Sequence, residues 1–333
     1  MKLSHEQIKS ITLGAAYVEE VEQRTVFHRF TKEQEEMYAG VKQEFYNKAF
    51  SNSCIRLEFE TDSASLFLKT YLTKRSSRVY HSHDIFVNGR LAGRLWGKFD
   101  DTPESVKNGI AAGMFSLGER GKTKKVCIHL PWSYSSDIIE LSLDDSASLL
   151  PIKKARKILF YGDSITQGYN AVYTSNSYAS KVAVGLDAEA RNKGIGAEVF
   201  RPALAELRDE DFEPDIVTVA YGTNDFGRFP TYDEMRKHVK AHLSLIAEAY
   251  KDKKVFVLTP IWRDKREGKK MGTFEGACAI VAEEATALGL TVIDGLTLVP
   301  PIPEFFADAY LHPNMNGFAV YAENLIRALN AHL

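Results

Sequence analysis

The sequence predicts a β-sandwich over residues 1–150 followed by an α/β domain with a parallel sheet over residues 151–333. Three observations carry that reading. A chain of 333 residues is long for one hydrophobic core and comfortable for two. Up to Pro151 the apolar residues recur in short runs of β type with turn residues between them. Beyond Pro151, apolar runs of strand length alternate with helical patterns. That alternation predicts a parallel sheet covered on both faces and joined by right-handed crossovers.

Residues 1–50 suggest no role, and Lys32–Met37 reads either as a helix or as a solvated stretch. Cys54–Glu60 alternates apolar and charged residues, as a half-buried strand does. Ile85-Phe86-Val87 and Arg90-Leu91-Ala92 flank Asn88-Gly89, a two-residue hairpin turn. Val126–Leu130 and Ile138–Leu143 add two strands, and such a series of short strands reads as a sandwich. In the second half the expected strands are Lys157–Tyr161, Ala188–Arg191, Asp215–Tyr221, Lys254–Thr259 and Leu290–Asp294. The expected helices are Ser177–Leu186, Phe200–Leu207, Thr231–Tyr250, Thr273–Leu288 and Met315–Leu333.

Composition narrows the function classes. A net charge of −2 leaves no electrostatic footprint for a nucleic acid or an anionic membrane. Cys54, Cys127 and Cys278 are odd in number and lack CxxC spacing, which argues for buried thiols in a reducing compartment. The first residues carry no apolar core of signal-peptide length, and no run is apolar enough to span a membrane. A cytoplasmic protein is the expectation. Neither an HExxH motif nor a calcium loop occurs, so no metal or cofactor is expected.

Three segments carry chemistry. Ser164 lies in Gly162-Asp163-Ser164-Ile165, directly behind the apolar run Ile158–Tyr161. A strand ending there exposes a hydroxyl on a tight turn at the carboxyl edge of the sheet, where open α/β sheets bind their ligands. A serine so placed is either a helix cap or, beside a base, a nucleophile. Asn224, in Gly222-Thr223-Asn224-Asp225, follows the apolar run Ile216–Tyr221 and is either a turn residue or an amide donor to a developing oxyanion. His312 precedes Pro313-Asn314 on a turn, with Asp308 four residues earlier to accept from its second ring nitrogen.

Together with Thr166-Gln167-Gly168, these segments resemble the Ser, Asn and His blocks of the SGNH (GDSL) hydrolases over about residues 155–333. The resemblance implies a three-layer, flavodoxin-like α/β fold. Ser164 becomes the nucleophile, His312 the base and Asp308 the residue that orients it. The implied oxyanion hole comprises the Ser164 N–H, the Asn224 amide and a backbone N–H that the family takes from a glycine five residues after an Asn. Counting from Asn192, that position is Ala197, whose donor survives the added methyl while φ stays negative; Gly196 is the alternative. The family's acid stands three residues before the His, where this chain has Ala309, so the loop has to bulge for Asp308 to reach. Asp294 ends a strand and ranks below Asp308, being distant in sequence from His312. Trp262 is either a sugar platform or an ordinary packed residue, with Phe226 and Tyr169 as lesser substrate-proximal candidates.

The first half resembles, more loosely, the jelly-roll-like sandwich that precedes the catalytic domain in some carbohydrate-active members. The implied function is a serine esterase acting on small acyl esters, acetyl above all, on carbohydrates. The implied partner is an acylated sugar or other small ester, with neither nucleic acid nor membrane, and the oligomeric state stays open. The alternatives are a lipase or phospholipase-type esterase of the same fold and a non-catalytic carbohydrate-binding protein on this scaffold.

Overall fold

Two antiparallel sheets and one parallel sheet build the molecule. A computed structural model describes residues 1–98, 109–264, 266–267 and 270–333. The first sheet takes β1 (Thr12–Leu13), β4 (Arg56–Thr61), β6 (Tyr80–Val87), β7 (Arg90–Lys98), β9 (Lys124–His129) and the short β11 (Leu150–Pro151), in the order β1-β4-β9-β6-β7 with β11 on β4. The second takes β2 (Tyr17–Val21), β3 (Arg24–His28), β5 (Ser65–Lys74), β8 (Ile110–Ser116) and β10 (Tyr134–Leu143), in the order β2-β3-β10-β5-β8. Leu57, Phe59, Ile85 and Ile128 of one sheet meet Phe27, Leu66, Leu68, Ile138 and Leu141 of the other in one apolar core, as in a sandwich. The Asn88-Gly89 hairpin forms as expected: Val87 pairs with Arg90, and both turn residues take positive φ, 49° and 76°.

The third sheet contains β12 (Arg156–Gly162), β13 (Ala188–Asn192), β14 (Ile216–Ala220), β15 (Lys254–Leu258) and β16 (Thr291–Ile293), all parallel and ordered β13-β12-β14-β15-β16. In chain order this is the 2-1-3-4-5 arrangement of flavodoxin-like sheets, whose ligand crevice lies where the order reverses, between β12 and β14. On one face α5 (Tyr178–Gly185) packs with α10 (Met315–Asn330) through Tyr178, Phe318 and Tyr321. On the other lie α6 (Pro202–Glu206), α7 (Asp225–Arg228), α8 (Tyr232–Ala249) and α9 (Phe274–Ala287). Among the described residues, no helix is long and apolar enough to cross a membrane. Cys54 is buried, Cys127 and Cys278 are half-buried, and all three thiols are free.

The first fifty residues do more than the sequence suggests. Each of Ser4 and Thr31 caps a helix through a capping box, starting α1 (His5–Ser10) and α2 (Lys32–Val41). With α3 (Gln43–Ala49), α2 packs on the parallel sheet rather than on the sandwich: Phe30, Tyr38, Phe45 and Ala49 share a core with Leu159, Tyr161, Phe200 and Val219. The sandwich itself is tied to the loop after β12 by hydrogen bonds. The Thr174 N–H donates to Ser82 Oγ, the Ser175 N–H to Asp84 Oδ2 and Thr174 Oγ1 to the Leu130 carbonyl, at 2.8, 2.8 and 2.6 Å.

Candidate active site

The strand β12 ends in a single helical turn, α4 (Ser164–Gln167), capped by Asp163, whose Oδ1 accepts from the Ile165 N–H at 2.8 Å. Gly168 closes the turn at φ 109°, a left-handed conformation that favours glycine. Ser164 therefore sits at the switch point, at the head of this turn, and is buried there.

Ser164 Oγ lies 2.9 Å from His312 Nε2, and His312 Nδ1 lies 2.7 Å from Asp308 Oδ2. The other carboxylate oxygen of Asp308 accepts the backbone N–H groups of Tyr310, Leu311 and His312 at 3.2, 2.8 and 3.0 Å. Burial works against the Asp308 charge. The His312 bond and these N–H donors outweigh it and hold the carboxyl well below the usual carboxylate range. The expected bulge is present: Ala309 takes φ 59°, and the loop is pinched shut by an antiparallel bridge between Phe306 and Pro313. The Ala307 N–H also donates to the His312 carbonyl at 2.8 Å.

Asn192 ends β13, Ala197 lies in the loop after it and Asn224 follows β14; these two strands flank β12. Asn224 Nδ2 donates to the Glu198 carbonyl at 2.9 Å, which ties the amide to the Ala197 loop and leaves its second N–H uncommitted among the described residues. The Ala197 N–H is likewise without a partner among them, but the conformation differs from expectation: φ is 70°, not negative. Ala197 is partly buried and packs against the core that holds Ile195 and Phe200. Gly196 is excluded as the alternative donor, because its N–H is spent on Gln167 Oε1 at 2.8 Å.

Comparison with known proteins fits this geometry. Residues 160–320 match the GDSL-like lipase/acylhydrolase family. That segment belongs to the family. Among solved structures, the salicylyl-acyltransferase SsfX3 from a tetracycline biosynthetic pathway superposes with a TM-score of 0.82 at 20% identity, over 96% of this chain and 94% of the other. A GDSL-like lipase candidate from Bacteroides ovatus ATCC 8483 gives 0.77 at 16% identity, over 99% and 97%. A family two carbohydrate esterase from Clostridium thermocellum, in complex with cellohexaose, gives 0.64 at 14% identity, over 85% and 93%. At these identities the likeness is one of fold, and it embraces the sandwich as well as the GDSL-like domain. No curated protein matches the sequence.

The GDSL-like site is supported from behind by residues that motif reading passes over. Arg29 is wholly buried and donates to the carbonyls of Ser51, Asn192, Gly194 and Lys48 and to Ser51 Oγ. Lys48 Nζ donates to the Gly196 carbonyl at 2.8 Å, and Arg228 to the Ala197 carbonyl at 3.3 Å. Gln167 bonds both Ser51 Oγ and the Gly196 N–H, and a Cβ on Gly194 would stand 2.5 Å from the Gln167 nitrogen. The signal for Arg29 was a cation inside the run Val26-Phe27-His28-Arg29-Phe30, a place where a charge needs partners.

Of the substrate-proximal candidates, Tyr169 stacks on His312 with ring centroids 5.8 Å apart. Trp262 is half-buried against Phe306, 4.9 Å away, at the root of the Asp308 loop. Phe226 is corrected: it is fully buried against Phe274 and is a core residue. Asp294 caps the turn after β16 and accepts from Leu296, away from His312.

Arg29→Met should destabilise the fold by about 2–5 kcal/mol, because several buried carbonyls lose their donor together. Thermal melts check this, and a midpoint equal to the wild type's would show that the carbonyls find other donors.

Asp163 and Asp225 are buried at the same sheet edge, and each is pushed up to about 7. Burial is the main cause for both, resisted by the Ile165 N–H for Asp163 and by the Phe200 and Gly222 N–H groups for Asp225. A carboxyl raised above its unfolded pKa of about 3.9 holds its proton longer in the folded state. Its contribution is complete below that value and is lost as pH rises toward about 7. The melting temperature should therefore fall from about pH 5 to about pH 8, and fall less in Asp163→Asn, which keeps the cap acceptor. Parallel profiles for the two proteins would refute the assignment.

Proposed function

We propose that this protein is a serine esterase that removes small acyl groups, acetyl above all, from carbohydrates through an acyl-enzyme. The observation that carries the reading is the chain of hydrogen bonds from Ser164 through His312 to Asp308, 2.9 and 2.7 Å long. His312 Nε2 takes the Ser164 proton as Oγ attacks the ester carbonyl. The ring's Nδ1–H stays on Asp308, which holds the tautomer and stabilises the imidazolium. His312 then gives its proton to the departing alcohol, and next activates the water that releases the acid. The N–H groups of Ser164 and Ala197 and the free amide N–H of Asn224 are the donors for the oxyanion.

One observation supports a sugar ester. An aromatic face stands on the His312 side: Trp262 is half-buried at the base of its loop, whereas Tyr169 is buried between His312 and Trp132 and backs the imidazole. The cellohexaose-bound carbohydrate esterase of the same fold adds to this support. An alcohol can also discharge the acyl-enzyme in place of water. The salicylyl-acyltransferase, which shares the architecture over 96% of this chain, favours testing that route as a second reading.

Ser164→Ala should lower ester hydrolysis by about six orders of magnitude without loss of fold, and a fluorophosphonate probe should label only the wild type. Hydrolysis at wild-type rates in that variant would end the mechanism. Asp308→Asn should cost as much as about 10⁴ in turnover by allowing the wrong tautomer. A loss of only a few-fold would reduce Asp308 to a loop residue. Across p-nitrophenyl esters, kcat/KM should be higher for acetyl than for octanoyl. The reverse order would favour a lipase-type esterase, and acyl transfer to added sugar at the expense of hydrolysis would favour the transferase.

A further inference from the structure

The segment between β5 and β6 carries Arg78 from the sandwich to the edge of the site. Its guanidinium lies over the Tyr169 ring, 5.2 Å from the centroid, on the same ring that stacks with His312. Arg78 Nε donates to Asn170 Oδ1 at 2.6 Å and Nη1 to Ser77 Oγ at 2.9 Å. Among the described residues no carboxylate pairs with Arg78, and the Tyr80 hydroxyl also faces its guanidinium. Asn170 is itself held in the left-handed region at φ 68°, and its carbonyl oxygen also faces the Tyr80 hydroxyl, so the receiving group is built into the loop. The result is a cation oriented in advance and left without a counter-ion among the described residues.

The charges around it are lopsided. Across the site Arg263 donates to the Thr223 carbonyl at 2.9 Å, and Arg228 reaches the Ala197 carbonyl. Of the carboxylates nearby, Asp308 is committed to His312 and three N–H groups, and Asp163 and Asp225 are buried with raised pKa. Asp264, next to Arg263, is exposed. A base that protonates the leaving group faces the alcohol portion of the ester, and Arg78 stands one ring away from that base, across Tyr169.

We propose that Arg78 selects esters whose alcohol part carries an anionic group near the acylated oxygen, a carboxylate or a phosphate. The inference rests on the esterase reading and deepens it by naming the substrate class as acylated acidic sugars. A neutral sugar can offer Arg78 one ordinary hydrogen bond, whereas a carboxylate or phosphate offers a charge-assisted, bidentate pair.

The test measures kcat/KM of the full chain on p-nitrophenyl acetate, a methyl O-acetylglucoside, the matching O-acetylglucuronide and the matching 6-phosphate. The wild type, Arg78→Gln and Arg78→Lys are compared. The wild type should prefer an anionic sugar ester over the neutral one by about 10–100-fold, and added salt should shrink that preference. Arg78→Gln should bring the ratio close to unity, and Arg78→Lys should retain part of it. The anion preferred, uronate or phosphate, identifies the source. A wild type that cleaves p-nitrophenyl acetate but prefers neither anionic sugar overturns the inference alone. So does an Arg78→Gln variant that loses activity equally on charged and neutral sugars. A wild type that cleaves none of the four esters overturns the esterase reading itself, and this inference with it.

Discussion

The Arg29 guanidinium is buried with no carboxylate bonded to it among the described residues, and backbone carbonyls take the place a counter-ion would occupy. Burial pushes its pKa down to about 10, so the group remains charged at neutral pH. A buried charge is tolerated only where its donors are met, and here the acceptors come from two parts of the chain. Ser51 and Lys48 belong to the segment that closes the helix pair, while Asn192 ends β13 and Gly194 lies in the loop after it. Lys193, equally buried, donates to the Arg29 carbonyl, to Gln34 and to Asp209, and so fastens the same loop to α2. The loop that presents the Ala197 N–H is thus an extension of the N-terminal segment. Its position depends on contacts made some 160 residues earlier in the chain.

This dependence explains how two architectures share one site. The parallel sheet alone places Ser164, Ala197 and Asn224 at the ends of neighbouring strands, but it does not hold their loops still. Gln167 reads the position of Ser51 on one side and the Gly196 N–H on the other, so the serine turn and the Ala197 loop are set by a common reference. Trp132, between β9 and β10 of the sandwich, packs against Tyr169, and Tyr169 backs His312. The serine turn and the His312 ring are accordingly backed from the first half of the molecule, by Ser51 through Gln167 and by Trp132 through Tyr169, while Asp308 is held by its own loop. That is the preorganisation acyl transfer calls for, since donors that move during the reaction lose much of their effect.

The second half of the fold was legible because its physics is local. All five parallel strands and the long helices lie within two residues of their expected bounds, save that the last helix stops at Asn330, three residues before the expected Leu333; period and turn chemistry decide them. The first half was only partly legible. Strands β2, β3 and β8 carry mixed polar and apolar residues whose pairing is settled across the sheet, and α2 gained its place from a sheet that lies more than a hundred residues away. Ser164, His312 and Asp308 were readable from spacing and residue type. Arg29 was not, because its partners are carbonyls, which every residue has. Phe226 misled because a position next to Asn224 says nothing about which way a ring turns, and this one turned inward.

The two places where the chain departs from its family's pattern are also two places where it adopts left-handed backbone. Ala197 stands at φ 70° where a glycine is usual, and Ala309 stands at φ 59° in a loop one residue longer than usual. Each costs roughly 1–2 kcal/mol relative to ordinary backbone. Such conformations persist only where the surroundings over-determine them. Around Ala197 those surroundings are the Gln167 bond to Gly196 N–H, the Lys48 bond to the Gly196 carbonyl and the Arg228 bond to its own carbonyl. Around Ala309 they are the three N–H donors gathered on Asp308 and the bridge between Phe306 and Pro313. In both cases the contacts that enforce the strain also aim a functional group, the Ala197 N–H in one and the His312 ring in the other. The extra residue before His312 therefore does not loosen the acid's grip. By curling through the left-handed region it turns the Asp308 carboxylate back over the loop, so that one oxygen serves the backbone and the other serves the imidazole.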